Sequence, residues 1–146
     1  MTTRVALVTG GTGGIGTAIC KRLSDAGHKV ATNYRNEERT QAWLEQMKQD
    51  GYDIVAVRGD VTSPEQAQAM VEEVKDRLGP VDILINNAGI TRDGTFHKMV
   101  PEQWQDVINT NLGSVFNGTR AVINGLGDRK WGRIVQISSI NGQKGQ

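Results

Sequence analysis

At 146 residues the chain is the size of one domain, long enough to bury a core and too short for two. Hydrophobic residues at 37%, charged residues at 23% and the lack of a long apolar run exclude a disordered, collagen-like or membrane-spanning protein. Lys and Arg number 17 against 16 Asp and Glu, a net charge of +1, so no global field draws nucleic acid or anionic lipid, and any polyanion has to be held by a local site.

Val5-Ala6-Leu7-Val8 is a short apolar run closed by Thr9-Gly10-Gly11 and predicts a first strand. Ile15, Ile19, Leu23 and Ala26 then keep helical spacing. A second run at Val30–Tyr34 precedes a helix on Trp43, Leu44 and Met47, and a third at Ile54–Val57 precedes one on Ala67, Met70, Val71, Val74 and Leu78. That third helix starts at Ser63-Pro64-Glu65-Gln66, where Ser63 can cap, Pro64 suits the first turn and Gln66 can reach back to complete a capping box. Gly79-Pro80 stops it, and a fourth strand is expected at Val81–Ile85. A longer helical pattern from Trp104 through Ile108, Leu112, Phe116 and Val122 to Leu126 predicts one continuous apolar face, with Gly113 and Gly118 marking a bend or close packing. Ile134–Ile137 is the fifth run. Apolar, non-alternating strands separated by helices predict an α/β fold, a doubly wound parallel sheet of the Rossmann kind with five strands and right-handed crossovers.

Residues Thr9-Gly10-Gly11-Thr12-Gly13-Gly14-Ile15-Gly16 leave the first strand and open the first helix, the place where a dinucleotide's pyrophosphate meets exposed N–H groups at a positive helix end. Two glycine registers overlap, Gly11-x-Gly13-x-x-Gly16 and Thr9-Gly10-x-x-x-Gly14-x-Gly16, and the alternative is a glycine-rich turn with no ligand. Residues 1–146 are thus expected to form a single dinucleotide-binding domain. An NAD-preferring site places a carboxylate at the end of the second strand; this sequence has Asn33-Tyr34-Arg35. Arg35 and Arg39 favour NADP through charge-assisted bonds to a 2′-phosphate, although Glu37 and Glu38 count against it. Both arginines can also be read as a solvated helix start.

Asp60-Val61 follows the third strand, Asn86-Asn87-Ala88-Gly89 the fourth, and Ser138-Ser139 the fifth, with Asn111 in the long helix. With the glycine loop, this set resembles the short-chain dehydrogenase/reductase family from Val5 onward. Asn87-Ala88-Gly89-Ile90-Thr91-Arg92-Asp93, Trp131-Gly132-Arg133-Ile134-Val135 and Asn141-Gly142-Gln143-Lys144-Gly145-Gln146 are most similar to the NADPH-dependent acetoacetyl-CoA reductases of polyhydroxybutyrate synthesis, with the 3-oxoacyl-[acyl-carrier-protein] reductases nearby. The resemblance implies that Gly10, Thr12, Gly13, Gly14, Ile15 and Gly16 surround the phosphates, that Asp60 and Val61 hold the adenine, and that Asn87, Ala88 and Gly89 line the ribose side. Plainer readings stay open: Asp60 caps a turn, and Asn86-Asn87 satisfies backbone between strands.

Reducing a ketone by hydride needs a donor to orient the carbonyl and an acid to protonate the growing alkoxide. The resemblance assigns the first role to Ser139, with Ser138 as fallback, and gives Asn111 a water in a proton relay; a helix-bend role is the alternative for Asn111. It assigns the acid to a Tyr-x-x-x-Lys motif, which these 146 residues lack, since neither Tyr34 nor Tyr52 has a lysine four positions on. The chain is therefore expected to be the cofactor-binding portion of an oxidoreductase, without the later strands and helices, and inactive alone. A non-catalytic NADP-binding module and one half of a composite site are the competing readings. Asp93 and Gln146 are substrate candidates for an acyl-CoA thioester, and the family implies self-association, as a homotetramer in full-length members. His28 and His97 lack metal-ligand spacing, so no metal is expected. Cys20 is the one cysteine and reads as core packing; without a disulfide or a signal-peptide run, a cytoplasmic protein is expected. The basic cluster Arg129-Lys130-Trp131-Gly132-Arg133 reads as a solvated turn.

Overall fold

The computed structural model describes residues 2–144, so Gln146 lies outside the described residues. Strands β1 (Val5–Val8), β2 (Lys29–Tyr34), β3 (Ile54–Arg58), β4 (Ile83–Asn86) and β5 (Arg133–Gln136) form one sheet, with helices α1 (Gly14–Asp25), α2 (Glu37–Gln49) and α3 (Pro64–Leu78) between the first four. All neighbours pair parallel in the order β3-β2-β1-β4-β5. The winding runs outward from β1 to β3 and then returns to β4, so the carboxyl ends of β1 and β4 flank the switch point where such folds bind ligands.

Both faces of the sheet are covered, and the side-chain alternation of each strand divides the core in two. Val5 and Leu7 join Ala31, Val57 and Leu84 under α3 and the helix after β4, whereas Ala6 and Val8 join Val30, Ile83 and Ile85 under α1 and α2. Cys20 belongs to the second layer, and burial pushes its thiol up to about 12, only partly countered by a backbone hydrogen bond.

The expected elements are all present, with differences of hydrogen bonding at their ends. β4 begins at Ile83, not Val81; just before it, the Asp82 carboxylate takes the Val5 N–H at 3.2 Å and the Asp82 N–H donates to the Val5 carbonyl at 2.9 Å. Ser63 caps α3 by accepting the Gln66 N–H at 3.3 Å, but the Gln66 side chain accepts the Asp60 N–H at 2.9 Å, so the capping box is not completed. The basic cluster is an exposed turn at Arg129 and Lys130, but its side chains are also engaged: Arg129 donates to the Val81 carbonyl at 2.6 Å and pairs with Asp82 at 3.4 Å, while Arg4 and Arg133 lie 3.8 Å and 5.0 Å from the Trp131 ring centre.

The long helical pattern is helix α4 (Pro101–Ile108), a π-turn at Asn109–Gly113 and helix α5 (Ser114–Asp128). Within α5, Val122 and Leu126 enter the core, while Phe116 and Ile123, with Leu112 in the π-turn, stay exposed. Gly118 is the close contact. A Cβ there would sit 2.6 Å from the buried Asn86 Oδ1, which has no hydrogen-bond partner among the described residues. Asn86 Nδ2 meanwhile donates to Gln136 Oε1 at 2.8 Å, tying β4 to β5. Gly118→Ala is therefore expected to destabilise the fold by about 1–3 kcal/mol through overpacking, read as a lower urea midpoint at unchanged m-value. A variant as stable as the parent would show that α5 shifts freely over β4.

Candidate functional site

The glycine loop is built by close approach at three positions and by open space at two. Gly10 turns the chain at φ +64°, and a Cβ there would lie 2.9 Å from Ala88 Cα. Cβ atoms at Gly11 and Gly16 would meet Thr32 Oγ1 and the Gly10 carbonyl, each at 2.3 Å. Gly13 has only an ordinary contact, and Gly14 has nothing within 4 Å. Internal packing therefore requires Gly10, Gly11 and Gly16 and does not require Gly14.

Side chains from three strands fix this loop. The Asn33 carboxamide accepts the Gly10 N–H at 2.9 Å and donates to the Gly59 carbonyl at 2.9 Å. Thr32 Oγ1 accepts the Gly11 N–H at 2.9 Å and donates to the Val8 carbonyl at 2.8 Å. From β4, Asn87 Nδ2 donates to the Thr9 and Gly10 carbonyls at 3.0 and 3.1 Å, while Thr9 Oγ1 accepts the N–H groups of Asn87 and Ala88. Asn87 thus does the backbone work expected of it, but Asn86 turns to side chains instead. Thr32, which no motif singled out, and Asn33, noted only for not being a carboxylate, are found by another signal: polar residues at the end of an otherwise apolar, buried strand.

Helix α1 starts without a side-chain cap and without an acidic residue in its first turn. Its first helical bond runs from the Thr17 N–H to the Gly13 carbonyl at 2.7 Å, so the N–H groups of Gly14, Ile15 and Gly16 precede the helical ladder at the positive end of the dipole. By contrast, Asn36 caps α2 and Ser63 caps α3. Of these three helices, α1 alone starts without a side-chain cap.

Two hollows adjoin it. Thr12, Gly13, Arg35 and Arg39 line a cavity of about 650 Å³ together with Asn36 and Trp43. Gly10, Thr12, Arg35, Asp60, Val61, Ala88 and Gly89 share a smaller one of about 180 Å³, to which Tyr34, Ile90 and Thr110 contribute. The hollows gather Gly10, Thr12, Gly13, Arg35, Arg39, Asp60, Val61, Ala88 and Gly89, whereas Gly14, Ile15, Gly16 and Asn87 line neither.

Asp60 Oδ1 accepts both the backbone N–H and the hydroxyl of Thr62, at 2.9 and 2.7 Å, and Oδ2 lies 3.7 Å from Arg35. Partial burial raises its carboxyl, but the two Thr62 bonds and the Arg35 charge outweigh it and hold the group below the ordinary value of 3.8. It caps its turn while lining the smaller hollow.

Asn111 sits in the π-turn with both ends of its carboxamide engaged by one residue, accepting the Ile90 N–H at 2.8 Å and donating to the Ile90 carbonyl at 2.9 Å. Its side chain thereby fixes the loop after β4. Ser139 is exposed beyond β5, and its Oγ accepts the Asn141 N–H at 3.2 Å. Asp93 is exposed in the loop after β4 and lines neither hollow. No group of three metal-ligating side chains occurs among the described residues, and no helix there is long and apolar enough to cross a membrane.

A depressed carboxyl favours the charged form in the fold, so Asp60 contributes stability above 3.8 that is lost as pH falls through its lower folded value. The stability gap between the parent and Asp60→Asn is expected to be widest near neutrality and to narrow on acidification to about pH 3. Urea melts of both proteins across that range measure it, and a gap independent of pH would contradict the assigned ionisation.

Residues 4–146 match the family model for short chain dehydrogenase. The chain is 54% identical over its full length to an acetoacetyl-CoA reductase of Cupriavidus necator and 56% identical, over 98% of its length, to one of Rhizobium meliloti. A 3-oxoacyl-[acyl-carrier-protein] reductase of Staphylococcus aureus is 39% identical over 98% of the chain. The chain spans about 60% of the length of the curated relatives it matches. A crystal structure of an actinorhodin polyketide ketoreductase with NADPH superposes with a TM-score of 0.93 and 40% identity, covering 99% of this chain and 56% of that one. On this match over nearly its whole length, the chain belongs to the short-chain dehydrogenase family.

Proposed function

We propose that the chain is the cofactor-binding portion of an NADPH-dependent reductase of acetoacetyl-CoA, forming (R)-3-hydroxybutyryl-CoA in the whole enzyme. The observation that carries the cofactor reading is the uncapped start of α1 beside a glycine, Gly14, that packing does not require. A surface-facing glycine at the positive end of a helix leaves room for an anion's oxygens close to the backbone. Arg35 and Arg39, on one cavity wall, suit a 2′-phosphate, and Asp60, kept ionised, suits an amino-group donor on a base. Identities above 50% to acetoacetyl-CoA reductases support that substrate over an acyl-carrier-protein thioester.

Bound NADPH supplies the hydride for reduction of a ketone. The chain's own part is to bind and orient. Ser139 Oγ already accepts from Asn141, which leaves its hydroxyl hydrogen to donate to a carbonyl oxygen as negative charge grows there. Asn111 is a positioning residue in this reading, holding the Ile90 loop against the π-turn. A general acid is missing from these residues because the sequence has no Tyr-x-x-x-Lys. Loss of such a group costs about 10²–10⁴ in rate, so binding without appreciable turnover is the expected behaviour of the 146-residue chain. The exposed Leu112, Phe116 and Ile123 beside the edge strand β5 support self-association.

The purified chain is expected to bind NADPH more tightly than NADH, read from the cofactor's own fluorescence, and to leave NADPH unoxidised when acetoacetyl-CoA is added. Gly14→Ala is expected to keep the melting temperature and lose most of the NADPH affinity, whereas Gly16→Ala loses stability. If Gly14→Ala binds as the parent does, the start of α1 is not the phosphate site. Turnover by the unmodified chain would show that the missing acid is dispensable or supplied by other residues.

A further inference from the structure

The cavity that holds Arg35 and Arg39 has an indole in its wall. Trp43 follows Arg39 by four residues on α2, so the two share a helix face. Its Nε1–H donates to Thr17 Oγ1 on α1 at 2.9 Å, and the Thr17 hydroxyl in turn donates to the Gly11 carbonyl at 3.2 Å. The Thr17 N–H donates to the Gly13 carbonyl at 2.7 Å. A half-buried indole N–H ordinarily finds some partner, so the first bond alone carries little. The destination of the second bond is what matters. A hydrogen-bond series runs from the helix bearing Arg39, through Thr17, to both sides of the glycine loop. The other described side-chain bond between α1 and α2, Lys21 to Asp50 at 2.6 Å, lies at the far end of α2.

We propose that Trp43 and Thr17 are positioning residues that hold the arginine-bearing start of α2 in register with the phosphate loop, and that this register sets the preference for a dinucleotide carrying a 2′-phosphate over one without it. The inference rests on the NADPH reading above. A pyrophosphate contacts only the loop, so both dinucleotides feel a disturbance there. A 2′-phosphate has to meet loop and arginines together, and only its binding depends on the spacing between α1 and α2. A single relay bond is worth about three- to tenfold in an equilibrium constant.

The test titrates the 146-residue chain and its variants with NADPH and with NADH, following the cofactor's emission, alongside thermal melts. Trp43→Phe keeps a ring and removes the donor; it is expected to weaken NADPH about three- to tenfold and leave NADH nearly unchanged. Thr17→Val breaks both bonds and is expected to weaken both cofactors and to lose the preference as well, whereas Thr17→Ser restores it. In the double variant, Trp43→Phe is expected to add nothing to the loss of preference caused by Thr17→Val. A purely structural role would lower the melting temperature and weaken both cofactors by the same factor, and an unchanged NADPH-to-NADH ratio in Trp43→Phe overturns the proposal. Should Thr17→Val not fold, Trp43→Phe and Thr17→Ser carry the test by themselves. A parent chain that binds neither cofactor overturns the NADPH reading itself; a parent that binds NADPH with an unchanged ratio in Trp43→Phe overturns only the relay.

Discussion

The fold's functional end depends on the contact between the turn after β1 and the turn after β4. Gly10 lies so close to Ala88 that a side chain would not fit, and Asn87 bridges the gap by donating to two successive carbonyls of the opposing turn. Parallel strands leave carboxyl-end carbonyls without ladder partners, and here a single carboxamide satisfies two of them. With the two turns locked together, the start of α1 is held over the sheet and its first N–H groups face outward. Thr32 and Asn33 then hold the same turn from β2, so three adjacent strands position one loop. Phosphate affinity in this architecture is a property of backbone geometry, and the side chains around it serve to keep that backbone still.

Much of this was legible in the residues. The five apolar runs, the glycine-rich turn and the strand-end motifs name the fold because each lies at the carboxyl end of its own element, which is where a doubly wound sheet places its ligands. The choice of partner by each polar group was less legible. The Gln66 side chain takes the Asp60 N–H, while the Ser63 N–H that a capping box would give it donates to the Asp60 carbonyl, and local sequence does not announce that choice. Trp131 with its flanking arginines reads as a charged turn until the fold brings Arg4 from the far end of the chain onto the ring. The π-turn at Asn109–Gly113 left no mark that the apolar spacing revealed, and spacing did not foretell burial either, since Val122 and Leu126 are in the core while Phe116 and Ile123 of the same α5 stay exposed.

The site separates into groups that hold and groups that react. Asn33 and Asn111 each use both ends of a carboxamide on backbone, Asn87 donates twice from its Nδ2, and each ties a different loop to the sheet or helix beside it. Asp60 and the arginines remain available to a ligand at the rim, with Asp60 kept ionised by Thr62. Ser139, alone beyond β5, has an acceptor already in use and a proton to offer. On the function proposed above, these residues would bind and orient, and the acid that protonates the product would come from elsewhere.

Cys20 lies directly beneath the glycine loop: a Cβ at Gly11 would be 3.0 Å from its sulfur. Since the thiolate is the reactive form, a thiol held as high as about 12 and sealed from solvent is inert while the loop stays seated. It is also the chain's one sulfhydryl, so an alkylating reagent has a single address. Its rate of labelling becomes a clock for how often α1 lifts off the sheet, and a ligand that settles on the loop slows that clock without touching the sulfur.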